Sequence, residues 1–320
     1  MIDKPHLHQI IESIGETVLD KDIKECKEGY NSQVFDIKTS ERELIIKIIT
    51  KSEESAKKDI NIRKFLSEKI PRFQIPNTIM FDNTKKIVPF TYMILSKING
   101  LTLGKAYTMI ADKEIFFEQL GELKGELNSI KNNYFGDLDS NLEIKYKHKK
   151  WLSFIETRFT KQIKKIKTGE MYNNKLIIEL INFWELNKTI LNQDIGPCFC
   201  HGDTSQSNIL VTDSKEVSGI IDFEYARWGG GIHDLFSSVR KSTFIDHADS
   251  IIKGYSRKIT PPKNWRELMY FYQWLSNIDI LSKIKKMKWR DLSNYQIKER
   301  KKNIKEKTLY QIKRLMVSLK

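Results

Sequence analysis

Short apolar runs alternate with polar turns in the first hundred residues, which is the pattern of β-strands. One run, Glu43 to Ile49, is apolar except at Glu43 itself and at Lys47. The other predicted strands cover residues 22–27, 33–38 and 91–95. An amphipathic helix is predicted over His8 to Leu19, and a second helix over Ser52 to Lys69. The pattern therefore predicts a strand-rich amino-terminal part with two helices.

Helical periodicity dominates the remainder of the chain. Apolar residues recur at three- and four-residue steps in five segments, which cover residues 113–130, 149–167, 174–192, 243–255 and 265–286. A loop at Asn132 to Asp137 interrupts this series. Two short apolar strands, Ile209 to Val211 and Val217 to Ile221, are joined by a turn and interrupt it again. This part is therefore predicted to be mainly helical, apart from one hairpin.

Composition agrees with a chain that builds its own cores. It has 320 residues, of which 40% are hydrophobic, so it requires neither a metal nor a disulfide scaffold. We interpret Cys26, Cys198 and Cys200 as buried core residues in a reducing compartment, because no second paired cluster completes a zinc site. The amino terminus lacks a signal-peptide pattern, and no uncharged segment is long enough to span a membrane. We therefore expect a cytoplasmic protein.

The net charge of +14 is concentrated at the carboxyl end. Residues 283–320 contain 14 Lys or Arg residues and three acidic residues. Apolar residues at helical steps predict a basic amphipathic helix here, which either packs on the preceding helices or binds an anionic surface such as nucleic acid or membrane. No recognised nucleic-acid-binding motif accompanies it. The charge therefore discriminates poorly between functions.

The most informative motif is His201-Gly202-Asp203, followed by Asn208 and, after the predicted hairpin, by Asp222. Alone, an Asp beside Gly is typical of a turn, and an Asn before an apolar strand is typical of a cap. Together, a carboxylate, an amide five residues later and a second carboxylate after a hairpin are what Mg²⁺-dependent phosphoryl transfer needs, in the order found in protein kinases. The spacing therefore predicts a kinase active site.

Each of these side chains suits one task in that reaction. The Asp203 carboxylate can accept a hydrogen bond from the attacking hydroxyl and take its proton. Asn208 and Asp222 supply the hard oxygen ligands that Mg²⁺ prefers. Asp203 is therefore the predicted catalytic residue, and Asn208 and Asp222 are the predicted metal ligands.

These residues resemble the aminoglycoside phosphotransferase and choline kinase family, whose members are protein-kinase-like kinases of small molecules. The match includes His201-Gly202-Asp203, Asn208 and the segment Ile221 to Glu224. The resemblance implies an α+β, bilobal fold, with a nucleotide-binding lobe over residues 1–96 and a catalytic and substrate-binding lobe over residues 97–320. It also implies a Mg²⁺-dependent kinase that uses ATP or GTP. We expect a monomer.

The resemblance assigns phosphate-binding roles in the first lobe. Gly29 and Ser32 belong to a short turn that would cover the phosphates, although an ordinary hairpin turn is the alternative. Lys47 would bind the α- and β-phosphates of the nucleotide, since a lysine centred in a buried strand needs an anionic partner.

Further residues of the first lobe would support the nucleotide. The resemblance places Asp59 on the helix as the ion-pair partner of the strand lysine, with Glu53 and Glu54 as alternatives. Backbone groups near Ser96 and Ile98, in the connection between the lobes, would hydrogen-bond the nucleobase edge. A plain linker is the alternative for that connection.

The chain departs from the family at Gly229-Gly230-Gly231, where an Asp-Pro pair is usual. Three glycines should loosen this turn and weaken the support that it gives Asp234. Asp234 takes the place of a further Asp of the family, which we interpret as a structural brace.

The helical lobe is expected to select the acceptor, a small molecule with a hydroxyl group. Aminoglycosides are polycations and favour acidic walls. Glu224 is the candidate by resemblance, and further acids on helices are Glu156, Glu267 and Asp279. A choline site would favour aromatic walls instead, for which the candidates are Trp265, Tyr270, Tyr272 and Trp274. A tryptophan-rich helix is also typical of a core.

The hypothesis from sequence is an O-phosphotransferase acting on an aminoglycoside-like antibiotic, similar to the hygromycin type. One alternative is a kinase of choline, a sugar or another metabolite. An alternative of a different class is an inactive nucleotide-binding module. The presence of Lys47, Asp203, Asn208 and Asp222 argues against inactivity.

Overall fold

The computed structural model describes residues 2–26, 32–50, 52–70, 74–169, 172–236, 242–287 and 293–319. The strands are β1 (Val18–Cys26), β2 (Ser32–Thr39), β3 (Glu43–Ile49), β4 (Thr78–Asp82), β5 (Tyr92–Ser96), β6 (Leu101–Thr102), β7 (Gly136–Asp137), β8 (Cys198–Cys200), β9 (Ile209–Val211), β10 (Val217–Ile220) and β11 (Arg227–Gly229). The α-helices are α1 (Lys4–Glu12), α2 (Glu53–Lys69), α3 (Leu103–Ala106), α4 (Lys113–Ser129), α5 (Trp151–Thr168), α6 (Asn174–Asn187), α7 (Gly231–Phe236), α8 (Ser242–Asp246), α9 (Ala248–Ser256), α10 (Trp265–Lys283) and α11 (Asn294–Ser318).

The chain forms two compact units. The first consists of residues 1–111, 138–143 and 205–225, and the second of residues 112–137, 144–204 and 226–320. The sequence predicts a boundary between residues 96 and 97. The first unit instead continues to residue 111, because β6 pairs with β9 of the same unit. The predicted hairpin of β9 and β10 is also part of the first unit.

The first unit is built on a five-stranded antiparallel sheet with the order β1-β2-β3-β5-β4. Alternate residues of β3 face opposite sides, as the period of a strand requires. Leu44, Ile46 and Ile48 are buried in a core that also receives residues of α1. Ile45 and Ile49 lie on the other face, in a cluster with Ala56 of α2. Lys47 shares their parity, which puts it on the α2 face.

The helix predicted over residues 8–19 is wrong in its bounds. Helix α1 begins earlier because the Asp3 carboxylate caps it by accepting from the His6 N–H, and Pro5 lies in the first turn. It ends at Glu12, and Gly15 follows with φ +78°. The predicted first strand accordingly begins at Val18, four residues early, while Lys27 lies outside the described residues. Strand β4 was not predicted.

The second unit is mainly helical. Helix α4 packs on α9 at very short range, since a Cβ on Gly254 would lie 1.8 Å from the Glu118 carbonyl oxygen. A second layer stacks aromatic side chains of α5, α6 and α10, with Trp184 and Trp274 fully buried. Strands β7, β11 and β8 form a small sheet in that order.

Most predicted helices of this unit are present, with three differences. The segments predicted over residues 174–192 and 265–286 are α-helical only to Asn187 and Lys283, and they continue as 3-10 helices, Lys188–Gln193 and Ile284–Lys286. The segment predicted over residues 243–255 is two helices, α8 and α9. An antiparallel sheet in one unit and a mostly helical second unit confirm the α+β class.

The basic tail forms helix α11, which packs against α10. A capping box between Ser293 and Gln296 starts it, and Ile312 and Leu315 are buried. Of the two predictions for the tail, the structure therefore agrees with packing on a preceding helix. Within the described ranges, no helix combines the length and apolar character needed to cross a membrane.

The cysteine interpretation is correct for two of the three residues. Cys198 and Cys200 are buried on β8, whereas Cys26 is only half-buried at the end of β1. None of the three forms a disulfide with another described residue.

Candidate active site

Lys47 lies at the centre of the first unit's sheet, paired across the strands with Val34 and Met93. Its side chain is 16% exposed, and its Nζ lies 3.1 Å from Oδ1 of Asp222, which is 32% exposed. Burial lowers the pKa of Lys47, but the Asp222 and Asp59 carboxylates more than offset this and hold it above its ordinary value. The ammonium group is therefore charged at neutral pH.

Asp222 is the second residue after β10, and Ile221 lies between them. Its φ is +68°, in the left-handed region that residues other than Gly and Asn seldom adopt. The Phe223 N–H immediately after it donates to Oδ1 of Asp59 at 2.9 Å. Such a strained backbone persists only where the surroundings hold it, and it is common at functional sites.

Asn208 is held at the neighbouring strand end. Its carbonyl accepts from the Ile221 N–H at 2.9 Å, and its own N–H donates to the Ser205 carbonyl at 3.0 Å. The pairing of β9 with β10 continues this contact, since Ile209 lies opposite Ile220. The first unit therefore brings the backbones of the two predicted metal ligands, Asn208 and Asp222, next to each other.

Oxygen donors of this kind fit Mg²⁺ better than a soft metal. The described residues contain no group of three or more His, Cys, Asp or Glu side chains that could bind a metal. The candidate set is different, one carboxylate and one amide, and such a set leaves coordination positions for phosphate oxygens and water.

Asp59 does not form the expected direct ion pair with Lys47. Within the described part of the chain, the carboxylate that pairs with Lys47 is that of Asp222. Asp59 is buried and pairs with Arg63 one turn later on α2, at 3.1 Å. Arg63 in turn donates to the Pro76 carbonyl. The Asp59 side chain thus braces α2 and the Phe223 amide. Its effect on Lys47 is through its charge.

The reserve candidates also have other contacts or positions. Glu53 accepts from Thr91 and Asn83 at the start of α2. Glu54 lies beside it in the first turn of that helix. The assignment of Glu53 or Glu54 as the partner of Lys47 stays a prediction.

The other nucleotide-binding predictions are placed as follows. Gly29 lies outside the described residues, and Ser32 begins β2 opposite Ile49. The Ser96 N–H donates to the Asn77 carbonyl at 2.9 Å, so this amide is committed to the sheet. Ile98 is half-buried beside Gly219 of β10. Backbone contacts from residues near Ser96 and Ile98 to the base stay a prediction.

In the second unit, the segment from His201 to Thr204 is held on both sides of Asp203. The His201 side chain is fully buried, and its Nδ1 accepts from the Asp203 N–H at 3.2 Å. The Gly202 N–H donates to Oδ1 of Asp234 at 2.9 Å. Burial raises the pKa of Asp234, but Lys124 and the Gly202 N–H bring it below its ordinary value. Asp234 is therefore an ionised brace of the loop that carries Asp203.

The expectation that three glycines loosen the turn before Asp234 is wrong. A Cβ on Gly230 would lie 2.2 Å from Oδ2 of Asp194, so only glycine fits. The Asp194 carboxylate accepts from the N–H groups of Ile232 and His233 and from the Tyr272 hydroxyl. The glycines thus admit a buried cap that fixes the start of α7.

The candidate acceptor-binding residues differ in their surroundings. Glu224 is half-buried in the first unit. Burial lowers the pKa of Lys47, whereas the charges of Asp222, Asp59 and, to a smaller extent, Glu224 raise it. Glu267 is exposed in the first turn of α10. Asp279 accepts from Gln162 and pairs with Lys283. The weaker candidate, Glu156, pairs with Lys188.

The aromatic residues considered for a choline site are partly committed to the core. Trp274 is fully buried among other rings, and Tyr272 is buried between Trp151 and Asp194. Trp265 stacks on Phe236. Tyr270 is half-buried. This arrangement is typical of a helix that packs in a core.

Sequence reasoning missed Arg63, Asp194 and Lys124. A lysine inside an otherwise buried helix face is a detectable signal at Lys124, as it was at Lys47. Asp194 has no such signal, because the Ile232 and His233 N–H groups and the Tyr272 hydroxyl are distant from it in sequence. Arg63 follows Asp59 by four residues on a predicted helix, and this spacing could have identified the pair.

Comparisons with known proteins identify the family and the fold. A family model described as the phosphotransferase enzyme family (APH) matches residues 22–271. No curated protein sequence matched the chain. Among solved structures, the apo form of a thermostable mutant of aminoglycoside phosphotransferase APH(4)-Ia is similar, with a TM-score of 0.69 and 14% identity over 97% of this chain and 98% of that chain.

Two further structures have the same fold. A ternary complex of a thermostable mutant of APH(4)-Ia with ADP and hygromycin B has a TM-score of 0.69 and 14% identity, covering 97% of each chain. A GDP complex of a mutant of aminoglycoside 2′-phosphotransferase-IIIa has a TM-score of 0.66 and 13% identity, covering 99% of this chain and 98% of that chain. Identities this low establish the fold alone. Because the family model covers most of its length, the chain belongs to the phosphotransferase enzyme family.

Proposed function

We propose that the protein transfers the γ-phosphoryl group of ATP or GTP to a hydroxyl group of a small molecule, and that this acceptor is an aminoglycoside-like antibiotic. The observation that carries the proposal is the ion pair of Lys47 with Asp222 beside the backbone of Asn208. Phosphoryl transfer needs a cation for the nucleotide phosphates and oxygen ligands for a divalent metal. The first unit supplies both within one network.

Lys47 is the proposed phosphate ligand. Its ammonium group is charged and partly exposed, so Asp222 can give way to a phosphate oxygen without leaving either charge buried and unpaired. Asn208 and Asp222 would hold Mg²⁺, which when bound neutralises charge on the phosphate oxygens. Asp59 would act indirectly, by fixing α2 and the backbone after Asp222.

Asp203 is the proposed catalytic base. Its carboxylate accepts a hydrogen bond from the acceptor hydroxyl and orients that oxygen toward the γ-phosphorus. A bond forms from the hydroxyl oxygen to phosphorus as the bond from phosphorus to the β–γ bridging oxygen breaks. The hydroxyl proton passes to Asp203, and the nucleoside diphosphate leaves. The braced loop keeps the carboxylate in one position, which is the main requirement of a loose transition state.

Two observations support an aminoglycoside-like acceptor over choline. The half-buried Glu224 follows Asp222 by two residues and places acidic charge at the phosphoryl-transfer end of the first unit. In contrast, Tyr272 and Trp274, which a cation-π site would need at its surface, are buried. The similar APH(4)-Ia complex contains hygromycin B, which makes that compound the first acceptor to test.

The test is an acceptor panel with the full chain, Mg²⁺ and either ATP or GTP. The panel contains hygromycin B, other aminoglycosides, choline and simple sugars. We expect at least one aminoglycoside to gain about 80 Da, the mass of one phosphoryl group. The Asp203→Asn variant should lower kcat by about 10²- to 10⁴-fold while it still binds nucleotide.

The matched control is Asp213→Asn, which removes an exposed carboxylate from the turn between β9 and β10 and should retain full turnover. Turnover of choline or a sugar with none of any aminoglycoside would reject the acceptor. Retained turnover in Asp203→Asn would remove Asp203 from the mechanism. Nucleotide binding without phosphate transfer to any compound would favour the inactive module.

A further inference from the structure

Lys124 is an ammonium group in the interior of the second unit. It lies in the middle of α4 and its side chain is 1% exposed. Its Nζ lies 2.5 Å from Oδ2 of Asp234, whose side chain is 0% exposed. Sequence motifs assign no role to Lys124, and the proposed reaction does not use it directly.

The contacts of this ion pair bracket the proposed catalytic base. Lys124 donates from Nζ to Oγ1 of Thr204 at 2.7 Å. Asp234 accepts from the Gly202 N–H at 2.9 Å. Gly202 and Thr204 are the residues immediately before and after Asp203. One buried pair therefore binds the chain on both sides of that carboxylate, once through the backbone and once through a side chain.

Helix α4 is fixed firmly enough to serve as the support. A Cβ on Gly121 would lie 2.0 Å from the Ile251 carbonyl oxygen of α9, so the two helices are in backbone contact. One turn after Lys124, Asn128 donates to Asp234 and to the Phe199 carbonyl. The same face of α4 thus contacts Asp234 twice and the strand that enters the loop once.

Charge compensation alone does not explain the bond to Thr204. A buried ion pair contributes little net stability, because the loss of hydration offsets the attraction of the two charges. Asp234 already has its counter-ion at 2.5 Å and two further donors, Gly202 and Asn128. The bond from Lys124 to Thr204 adds nothing to the charge balance of Asp234, but it fixes the residue that follows Asp203.

We infer that Lys124 and Thr204 form a positioning pair for Asp203, an inference that rests on the proposed function. Lys124 acts through Thr204 and does not touch the reacting atoms. Its effect is to keep the Asp203 carboxylate in line with the acceptor hydroxyl, where small displacements reduce the rate strongly.

The test replaces the acceptor atom of the pair. Thr204→Val keeps the volume of the side chain and removes Oγ1, whereas Thr204→Ser retains the oxygen. We expect the Val variant to lower kcat about 10- to 100-fold with an unchanged KM for the nucleotide, and the Ser variant to keep the wild-type kcat. Thr157→Val, on an exposed face of α5, is the matched control and should leave kcat unchanged.

A second readout needs no acceptor. Amide hydrogen exchange of residues 200–205 should be about tenfold faster in Thr204→Val than in wild type or Thr204→Ser, with α4 and α10 unchanged. If the Val variant does not fold, Thr204→Ala removes the same oxygen without placing a methyl group against the ammonium. Equal exchange and equal kcat in wild type and the Val variant would overturn the inference, as would faster exchange throughout the unit. If wild type modifies no acceptor, the proposed function fails, and the exchange comparison alone still decides whether the pair positions the loop.

Discussion

The two units each contain a Lys–Asp ion pair next to a motif residue, and the two pairs differ in exposure. In the first unit, the side chains of Lys47 and Asp222 are 16% and 32% exposed, and Nζ of Lys47 lies 3.1 Å from Oδ1 of Asp222. In the second unit, Lys124 and Asp234 are 1% and 0% exposed and lie 2.5 Å apart. The same two residue types thus occur in a partly hydrated pair and in a dry one.

This difference separates a pair that can exchange partners from one that cannot. Water can replace either partner of the Lys47–Asp222 pair as a ligand comes in, so the cost of opening it is small. Opening the Lys124–Asp234 pair would leave a charge without water or counter-ion, which is far more costly. The first geometry suits ligand binding, and the second suits a permanent support.

The largest expected effect is on the buried pair. Lys124→Met keeps the length of the side chain but leaves the Asp234 carboxylate buried without its cation. We expect the free energy of unfolding to fall by about 3–5 kcal/mol. Urea unfolding followed by circular dichroism measures this change.

Two controls separate charge from packing in that experiment. Adding Asp234→Asn to Lys124→Met should recover part of the loss, because the remaining partner is then neutral. Lys253→Met removes an exposed lysine that pairs with Glu118 on the other side of α4, and it should leave stability nearly unchanged. A loss for Lys124→Met no larger than for Lys253→Met would contradict the comparison.

Asp194 is a second buried carboxylate, and the pH dependence of its contribution to stability can be compared with the effect of Lys124 on Asp234. Burial raises the pKa of Asp194 to about 6, although the hydrogen bond from Tyr272 opposes this. The folded protein therefore binds this proton more tightly than the unfolded chain. Its contribution to stability is fully present below about pH 4 and is lost as pH rises through about 6, a change of roughly 3 kcal/mol.

The Asp194→Asn variant isolates this contribution. The difference in unfolding free energy between wild type and variant, measured by urea unfolding from pH 4 to pH 7, should change in favour of wild type as pH falls. Burial and then Arg227 lower the pKa of the neighbouring His233 to about 3 in the folded protein, so the unfolded chain alone binds this proton between pH 4 and pH 7. That effect is the same in wild type and Asp194→Asn and cancels in the difference. A difference that stays constant over this pH range would show that Asp194 is not the titrating group.

The smallest effect on stability is expected at the partly exposed pair. Lys47→Met should change the free energy of unfolding by about 1 kcal/mol or less, because Asp222 remains in contact with water. Nucleotide affinity should nevertheless fall about 10- to 100-fold, as expected from the loss of one charged hydrogen bond. Calorimetric titration with a non-hydrolysable ATP analogue and Mg²⁺ measures the affinity.

Arg42→Met provides the matched control in the same unit. It removes an ion pair between Arg42, which is half exposed in the turn before β3, and the buried Glu16. Its nucleotide affinity should equal that of wild type. Unchanged affinity in Lys47→Met would exclude Lys47 as a phosphate ligand and would leave the two ion pairs without a functional distinction.

Local patterns were reliable for elements and for residue types. The apolar run of Glu43–Ile49 predicted β3 with its central lysine, and two shorter apolar runs predicted the hairpin of β9 and β10. The bounds of α1 were predicted poorly, because the cap at Asp3 and the turn at Gly15 outweigh the apolar periodicity that continues beyond Glu12. The role of Gly230 was also predicted wrongly. Glycine is needed there because a side chain would collide with Asp194, and not because the turn must be flexible.

The sequence by itself determined which side chains we propose for the chemistry, since the order and spacing of Asp203, Asn208 and Asp222 depend only on the chain. It also predicted that Lys47 would lie within a buried strand, because apolar residues precede and follow it. Only the tertiary structure decided the distant partners, which are Asp222 for Lys47 and Lys124 for Asp234. The physical reason is that charges pair by distance and hydration after packing, and packing brings together residues that no local pattern relates.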